Sequence, residues 1–167
     1  KVVGAFHGLS RERSDARKYP AIDPLISWSK YDSFIDPKQE EMGHSLLRRS
    51  NEIAQMMKVI GEEGTSLGDY IEYLKGDFFD FVYLQQNAFD PVDEATSKER
   101  QIYVFSFICE ILNFEYQLQD KAAALHFFQQ LRQLFRSLNS AEYAEVEFKK
   151  IKEQITAFLE KNKKEKA

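Results

Sequence analysis

Side chains capable of covalent or metal chemistry are present in this sequence but scattered. His7, His44 and His126 fall on three separate predicted elements, so a shared metal would require them to meet through folding alone. They are read as solvated or hydrogen-bonded imidazoles with no assigned role. Cys109 has no second cysteine to pair with, which excludes an internal disulfide and a multi-cysteine cluster. It lies on a predicted apolar seam, where a thiol packs as a small hydrophobe. There is no GxxxxGK[ST] phosphate loop, no Gly-x-Ser-x-Gly elbow and no His-Glu-x-x-His pair, and no two carboxylates are set apart as acid and base. No catalytic residue and no metal ligand is therefore assigned, and phosphoryl transfer is not expected of this chain alone.

The 14 phenylalanines and 8 tyrosines carry more information. Phe78, Phe79, Phe81 and Tyr83 crowd one predicted helix and cannot all face one core. Either two neighbours sandwich that helix or part of it meets another domain.

The elements that position these residues are mostly helical. Residues 10–37 contain Pro20, Pro24 and Pro37; ring geometry and missing donors exclude a continuous helix there and leave a connector with local turns. Residues 1–9 (KVVGAFHGL) read as a strand with no partner expected inside a helical chain, and together with Lys1 in place of Met they point to a piece of a longer protein. Residues 39–60 place Met42, Leu46, Leu47, Ile53, Met56, Met57 and Ile60 three or four apart, as one helix face requires, and Gly61 ends that helix. Thr65 or Ser66 caps a second helix over 69–86, giving a helical hairpin. Asn87-Ala88-Phe89-Asp90-Pro91 reads as a loop, because Pro91 and the residue before it disfavour helix. Ser97 then caps a helix through Leu118 with a seam of Ile102, Phe105, Ile108, Cys109 and Leu112. Two more amphipathic stretches follow at 121–138 and 141–159, the second with Tyr143, Val146, Ile151, Ile155, Phe158 and Leu159 near one face. The expected class is mainly α: a C-terminal bundle of about five helices over 38–167, preceded by a short strand and proline-rich connector over 1–37. No internal repeat is visible.

Composition agrees with this reading. The chain has 167 residues, 43% of them hydrophobic and 30% charged, enough for one real core and unlike a disordered segment. A net charge of −4 argues against a dedicated nucleic-acid surface. The tail of Lys161, Lys163, Lys164 and Lys166 is read as a frayed, solvated helix end. No apolar run reaches the ~18 residues of a spanning helix and no secretory leader is recognisable, so the expectation is a cytoplasmic chain with any membrane link made through partners.

Two short segments carry a resemblance. Tyr19-Pro-Ala-Ile-Asp-Pro-Leu25 (YPAIDPL), followed by Ser27 and Ser29, resembles the segment that closes the nucleotide-binding domain in catalytic subunits of rotary ATPases. Leu84-Gln-Gln-Asn-Ala-Phe89 (LQQNAF), followed by Val92 and Asp93, resembles a motif of the helical C-terminal domain of the V-type and archaeal-type catalytic A subunit. The order of helix, short acidic turn and helix between them is also similar. The match covers about the first hundred residues; the remainder matches only as further helices.

The resemblance implies that 1–37 ends the nucleotide-binding domain and that Tyr19 and Phe89 flank the adenine of bound nucleotide, with Gln86, Asn87 and Ala88 lining the same pocket. It implies that the turn at Glu62 and Glu63 meets the central rotor. For the whole subunit it implies ATP or ADP with Mg as ligand, none of it bound by this piece alone. It also implies hydrolysis or synthesis coupled to proton or sodium movement, with the non-catalytic B subunits and rotor stalk subunits as partners. Gly64 and Gly68 depart from the family turn, and Asp23-Pro24 is closer to the F-type pattern than to the Asn-Trp common in A subunits. Two other readings stand beside it: a free-standing helical interaction module, and the corresponding domain of the non-catalytic nucleotide-binding subunit.

Overall fold

The computed structural model describes residues 3–163. Lys1 and Val2 of the expected strand, and Lys164 and Lys166 of the basic tail, lie outside them. Among the described residues the chain is mainly helical with one small antiparallel strand pair.

The first strand, β1 (Ala5–Phe6), does find a partner within the chain, contrary to the sequence expectation. It pairs with β2 (Trp28–Ser29) in the connector, Ala5 opposite Ser29 and Phe6 opposite Trp28. An isolated bridge between Leu9 and Ile22 and the hydrogen bonds Asp23 N–H to Gly8 O and Ser10 N–H to Ala21 O continue the pairing. Between them sits α1 (Arg11–Asp15), a single turn capped by the Ser10 hydroxyl, which accepts from Arg13 N–H. This turn, ahead of the first proline, is the helix beyond the expected five.

α2 (Pro37–Ile60) starts where Asp36 accepts the N–H groups of Lys38 and Gln39 and Pro37 takes the first helical position, an arrangement that satisfies the orphan donors of a helix start. Gly61 ends it at φ +79°, a conformation costly for any residue with a Cβ. Of the face read from the sequence, Ile53 is buried, whereas Met56 and Ile60 are exposed. Part of the real contact face is small instead. A Cβ on Gly76, in the second helix of the hairpin, would lie 2.2 Å from the Ser50 Cβ, so the two helices meet almost backbone to backbone there.

α3 (Leu67–Phe79) is capped by Ser66, whose hydroxyl accepts from Asp69 N–H; the Thr65 hydroxyl turns back to donate to Gly61 O. The helix does not run straight to 86. It widens into a π-helical turn over Asp80–Leu84 and stops at Gln85, which is extended. The side-chain amide of Asn139 donates to Val82 O and so serves part of the loosened ladder. The aromatic crowd resolves as the sandwich. Phe78 is fully buried against Phe128 and Phe135, while Phe79 and Tyr83 stack on each other and both meet Phe105. Phe81 lies half-buried beneath the Arg132 guanidinium.

α4 (Lys98–Asn113) is capped by Ser97 and ends earlier than expected. Residues 114–118 leave the helix because Tyr116 forms a bridge with Lys163 and packs its ring 4.6 Å from that of Phe127. The α4 seam is Val104, Phe105, Ile108, Cys109, Ile111 and Leu112; Ile102 is exposed. α5 (Lys121–Asn139) is capped by Asp120, which accepts from Ala123 N–H. α6 (Val146–Asn162) starts later than 141 because Ala144 sits at φ +65°, in the left-handed region that no right-handed helix passes through. Val146 is accordingly exposed, and Phe148 takes the core position. The described end of the tail is docked rather than frayed, with the Lys163 ammonium 4.6 Å above the Phe114 ring.

Cys109 is 4% exposed, and burial pushes its thiol up to about 11. The reactive thiolate is then disfavoured in the folded chain and recovers when unfolding restores an ordinary thiol. At pH 8, iodoacetamide is expected to label the native chain at least ~100-fold more slowly than the guanidinium-unfolded chain, as followed by mass spectrometry.

Candidate functional site

Tyr19 stands on a connector that is fastened to the bundle by charge. The residue before it, Lys18, places its ammonium 2.7 Å from Asp80 Oδ2 and 3.6 Å from Asp77 Oδ1. Arg13 of α1 donates to the other oxygen of Asp80 at 2.8 Å, and Arg132 of α5 pairs with Asp77. Asp80, at the first position of the π-helical turn, is 6% exposed, so its charge is satisfied by these two cations rather than by water. The cluster joins connector, α3 and α5. The Tyr19 ring is left 52% exposed beside it.

The second segment meets the first through the backbone: Gln86 N–H donates to Tyr19 O at 2.9 Å. From there residues 86–93 form a closed hoop. Asn87 N–H donates to Asp93 Oδ2 at 2.7 Å, and the Gln86 side-chain amide donates to Asp93 O at 3.2 Å. Asn87 Oδ1 accepts from Phe89 N–H, and Asp90 Oδ1 accepts from Val92 and Asp93 N–H. Phe89 is carried on this hoop with 97% of its surface exposed, and Gln86, Asn87 and Ala88 are exposed beside it. The structure thus brings the Tyr19 and LQQNAF segments together and leaves both aromatic rings uncovered.

Arg100 supports the base of the hoop. It is 3% exposed and donates to Val92 O and to Leu138 O and Asn139 O, the last carbonyls of α5, a favourable place for a cation. Burial lowers the proton affinity of its guanidinium, and the charges of Asp93 and Asp90 oppose that effect. Burial likewise raises the Asp93 carboxyl above the usual carboxylate range, against the pull of the Asn87 N–H and Arg100. Asp90 is held below that range, first by the Ser140 hydroxyl and then by the Val92 and Asp93 N–H groups.

Glu62 and Glu63 are exposed in the turn between α2 and α3. Their backbone carbonyls both accept from the Lys121 ammonium at the start of α5. The turn is therefore pinned to the bundle by its main chain, and the Glu62 carboxylate also reaches the Tyr70 hydroxyl. Burial and then Glu62 raise the Tyr70 hydroxyl above the ordinary range.

Sequence reading missed Arg13, Lys18, Asp80, Asp93 and Arg100 as site-building residues. Two of them left a signal. Asp80 is the one acid within the aromatic run 78–84, and Arg100 occupies a position in register with Val104, Ile108 and Ile111 on the buried face of α4. A charge placed on an apolar face must be paired.

Residues 38–124 match the family model for the C-terminal domain of V and A type ATP synthase, and the chain belongs to that family. Among individual relatives, the V-type ATP synthase alpha chain of Treponema denticola is 55% identical over 149 residues, which is 89% of this chain and 25% of the relative. The V-type ATP synthase alpha chain of Borrelia garinii subsp. bavariensis is 50% identical over 159 residues, 95% of this chain and 28% of the relative. The likeness read from two motifs therefore extends over nearly the whole chain, including the last helices. The chain spans about a quarter of the length of these curated relatives. A solved ATP synthase subunit, NeqB from Nanoarcheaum equitans, shares the fold with a TM-score of 0.56 at 18% identity, covering 68% of this chain and 29% of that one. No helix among the described residues is long and apolar enough to cross a membrane.

Proposed function

We propose that this chain completes the adenine pocket of a catalytic V/A-type ATPase subunit and joins that pocket to the rotor. Tyr19 and Phe89 supply the two aromatic faces, and Gln86, Asn87 and Ala88 line the space between. Residues 1–37 end the nucleotide-binding domain, and 38–167 form the bundle. The observation that carries this reading is the Gln86–Tyr19 hydrogen bond, together with a phenylalanine held 97% exposed on an internally bonded hoop. Covering such a ring stabilises by about 1.5–3 kcal/mol, which a purine would gain by stacking without any charge in the pocket.

The chemistry of ATP or ADP with Mg belongs to the rest of the subunit, and the piece alone is inactive. In the assembled enzyme the bundle moves as a lever when the site opens and closes, and Glu62 and Glu63 meet basic rotor residues. Hydrolysis or synthesis is thereby coupled to proton or sodium transport. The non-catalytic B subunits and the rotor stalk are its partners, and the complex sits on the cytoplasmic face of its membrane. No partner surface for nucleic acid is proposed.

In the full-length subunit within its assembled complex, Phe89→Ala is expected to raise the KM for ATP roughly tenfold, the equivalent of one lost stacking contact of ~1–3 kcal/mol. Phe89→Tyr is expected to stay near the parent value. Steady-state hydrolysis measures both, and an unchanged KM in the alanine variant would remove the adenine role.

A further inference from the structure

The polar groups of the 86–93 hoop converge on one buried residue. Asp93 is 9% exposed. Its Oδ2 receives the Asn87 N–H, and its main-chain carbonyl receives both the Gln86 amide and, at 3.1 Å, the Thr96 hydroxyl. Its own N–H goes to Asp90 Oδ1. The residue that gives its N–H to Tyr19 is therefore the same one whose side chain is tied to Asp93. Phe89 lies two residues beyond the Asn87 amide, and its N–H is turned by the Asn87 side chain. Moving the Asp93 carboxylate would release the Asn87 amide first and the ring next.

The geometry points to Asp93 as the positioning residue of the base site: it sets the Phe89 ring relative to Tyr19 without touching the base itself. This rests on the adenine reading. A loop whose ring had only to cover the bundle would bury it; here the carboxylate fixes the Asn87 N–H, Asn87 in turn fixes the Phe89 N–H, and the ring stands clear of the bundle. Preorganisation of this kind acts on ligand affinity, because a displaced ring must be re-ordered on each binding event.

The test uses the full-length subunit in its complex, with ATP and with UTP, whose smaller base stacks less. Asp93→Ala is expected to raise the KM for ATP about tenfold and the KM for UTP less than about twofold, with kcat changing less than KM. Asp93→Asn keeps an oxygen for the Asn87 N–H and is expected to remain within about threefold of the parent for ATP. Combined with Phe89→Ala, the Asp93→Ala change is expected to add nothing further. Asp93→Glu keeps the charge facing Arg100 while displacing the acceptor by one methylene. It should show the same ATP bias, so an unchanged ATP KM there overturns the proposal even where the alanine variant does not assemble. Equal rises for ATP and UTP, or additivity with Phe89→Ala, also overturn it and leave a purely structural role. If Phe89→Ala itself has no effect on KM, the adenine reading fails instead.

Discussion

Asp80→Ala is expected to lower the stability of the chain by about 3–5 kcal/mol, seen as a lower denaturant midpoint with little change in slope. The size follows from what remains behind. Arg13 keeps a guanidinium that is 14% exposed at its side chain, and Lys18 keeps an ammonium whose best partner stood at 2.7 Å. Removing Asp80 strands the largely buried Arg13 guanidinium without the carboxylate it pairs with, and leaves Lys18, 32% exposed, only its longer 3.6 Å pairing with Asp77; a stranded buried charge costs far more than the cluster contributed beyond an apolar equivalent. The same logic gives a second arm. Asp80→Leu combined with Arg13→Met and Lys18→Met should recover most of the loss, because no stranded charge remains. The connector should also loosen in the alanine variant, with trypsin cutting after Arg17 or Lys18 faster than in the parent under native conditions. A parent-like midpoint in Asp80→Ala would show that the cluster is solvated in solution.

Phe78→Ala is expected to cost about 3–5 kcal/mol by a different route. Phe78 has no exposed surface and meets Phe135 edge-on at 5.2 Å and Phe128 at 6.0 Å. Truncation leaves a void where α3 and α5 meet, and the rings around it cannot collapse without leaving their own contacts. For a chain of this size the melting temperature should fall by roughly 6–20 °C, and Phe78→Leu should lose substantially less. Calorimetry separates the two kinds of damage. The Phe78 variant should melt lower as a whole, whereas the Asp80 variant should show its extra protease sensitivity mainly in the connector.

Much of the bundle was legible because helix signals are local. Ser66 and Ser97 read as N-caps and Gly61 as the end of α2, and the structure places them there; the caps at Asp36, ahead of Pro37, and at Asp120 carry the same kind of signal and were not singled out. The errors occurred where tertiary contacts overrule local preference. The π-helical turn at Asp80–Leu84 has no single-residue signature, and Ala144 at positive φ is unexpected for a residue with strong helix propensity. The strand partner was missed because Trp28–Ser29 lies in a proline-rich segment where turn signals mask a two-residue pairing. Tyr19 and Phe89 were visible as motif members, yet of the groups that hold them Asp80 and Arg100 act across the fold and could be found from sequence only as charges on apolar faces, while Asp93, quoted beside the motif, gave no sign there of its role in the hoop.

The near contact between Gly76 and Ser50 has a mechanical corollary. Most helix pairs are separated by a cushion of side chains whose rotamers can yield, so one helix can creep along its neighbour. Here almost nothing intervenes, and sliding would drive bulkier residues into the gap. The hairpin should therefore behave as a stiff strut: a load applied at the Glu62–Glu63 tip would reach Asp77 and Asp80, and the connector bound to them, with little of it absorbed on the way.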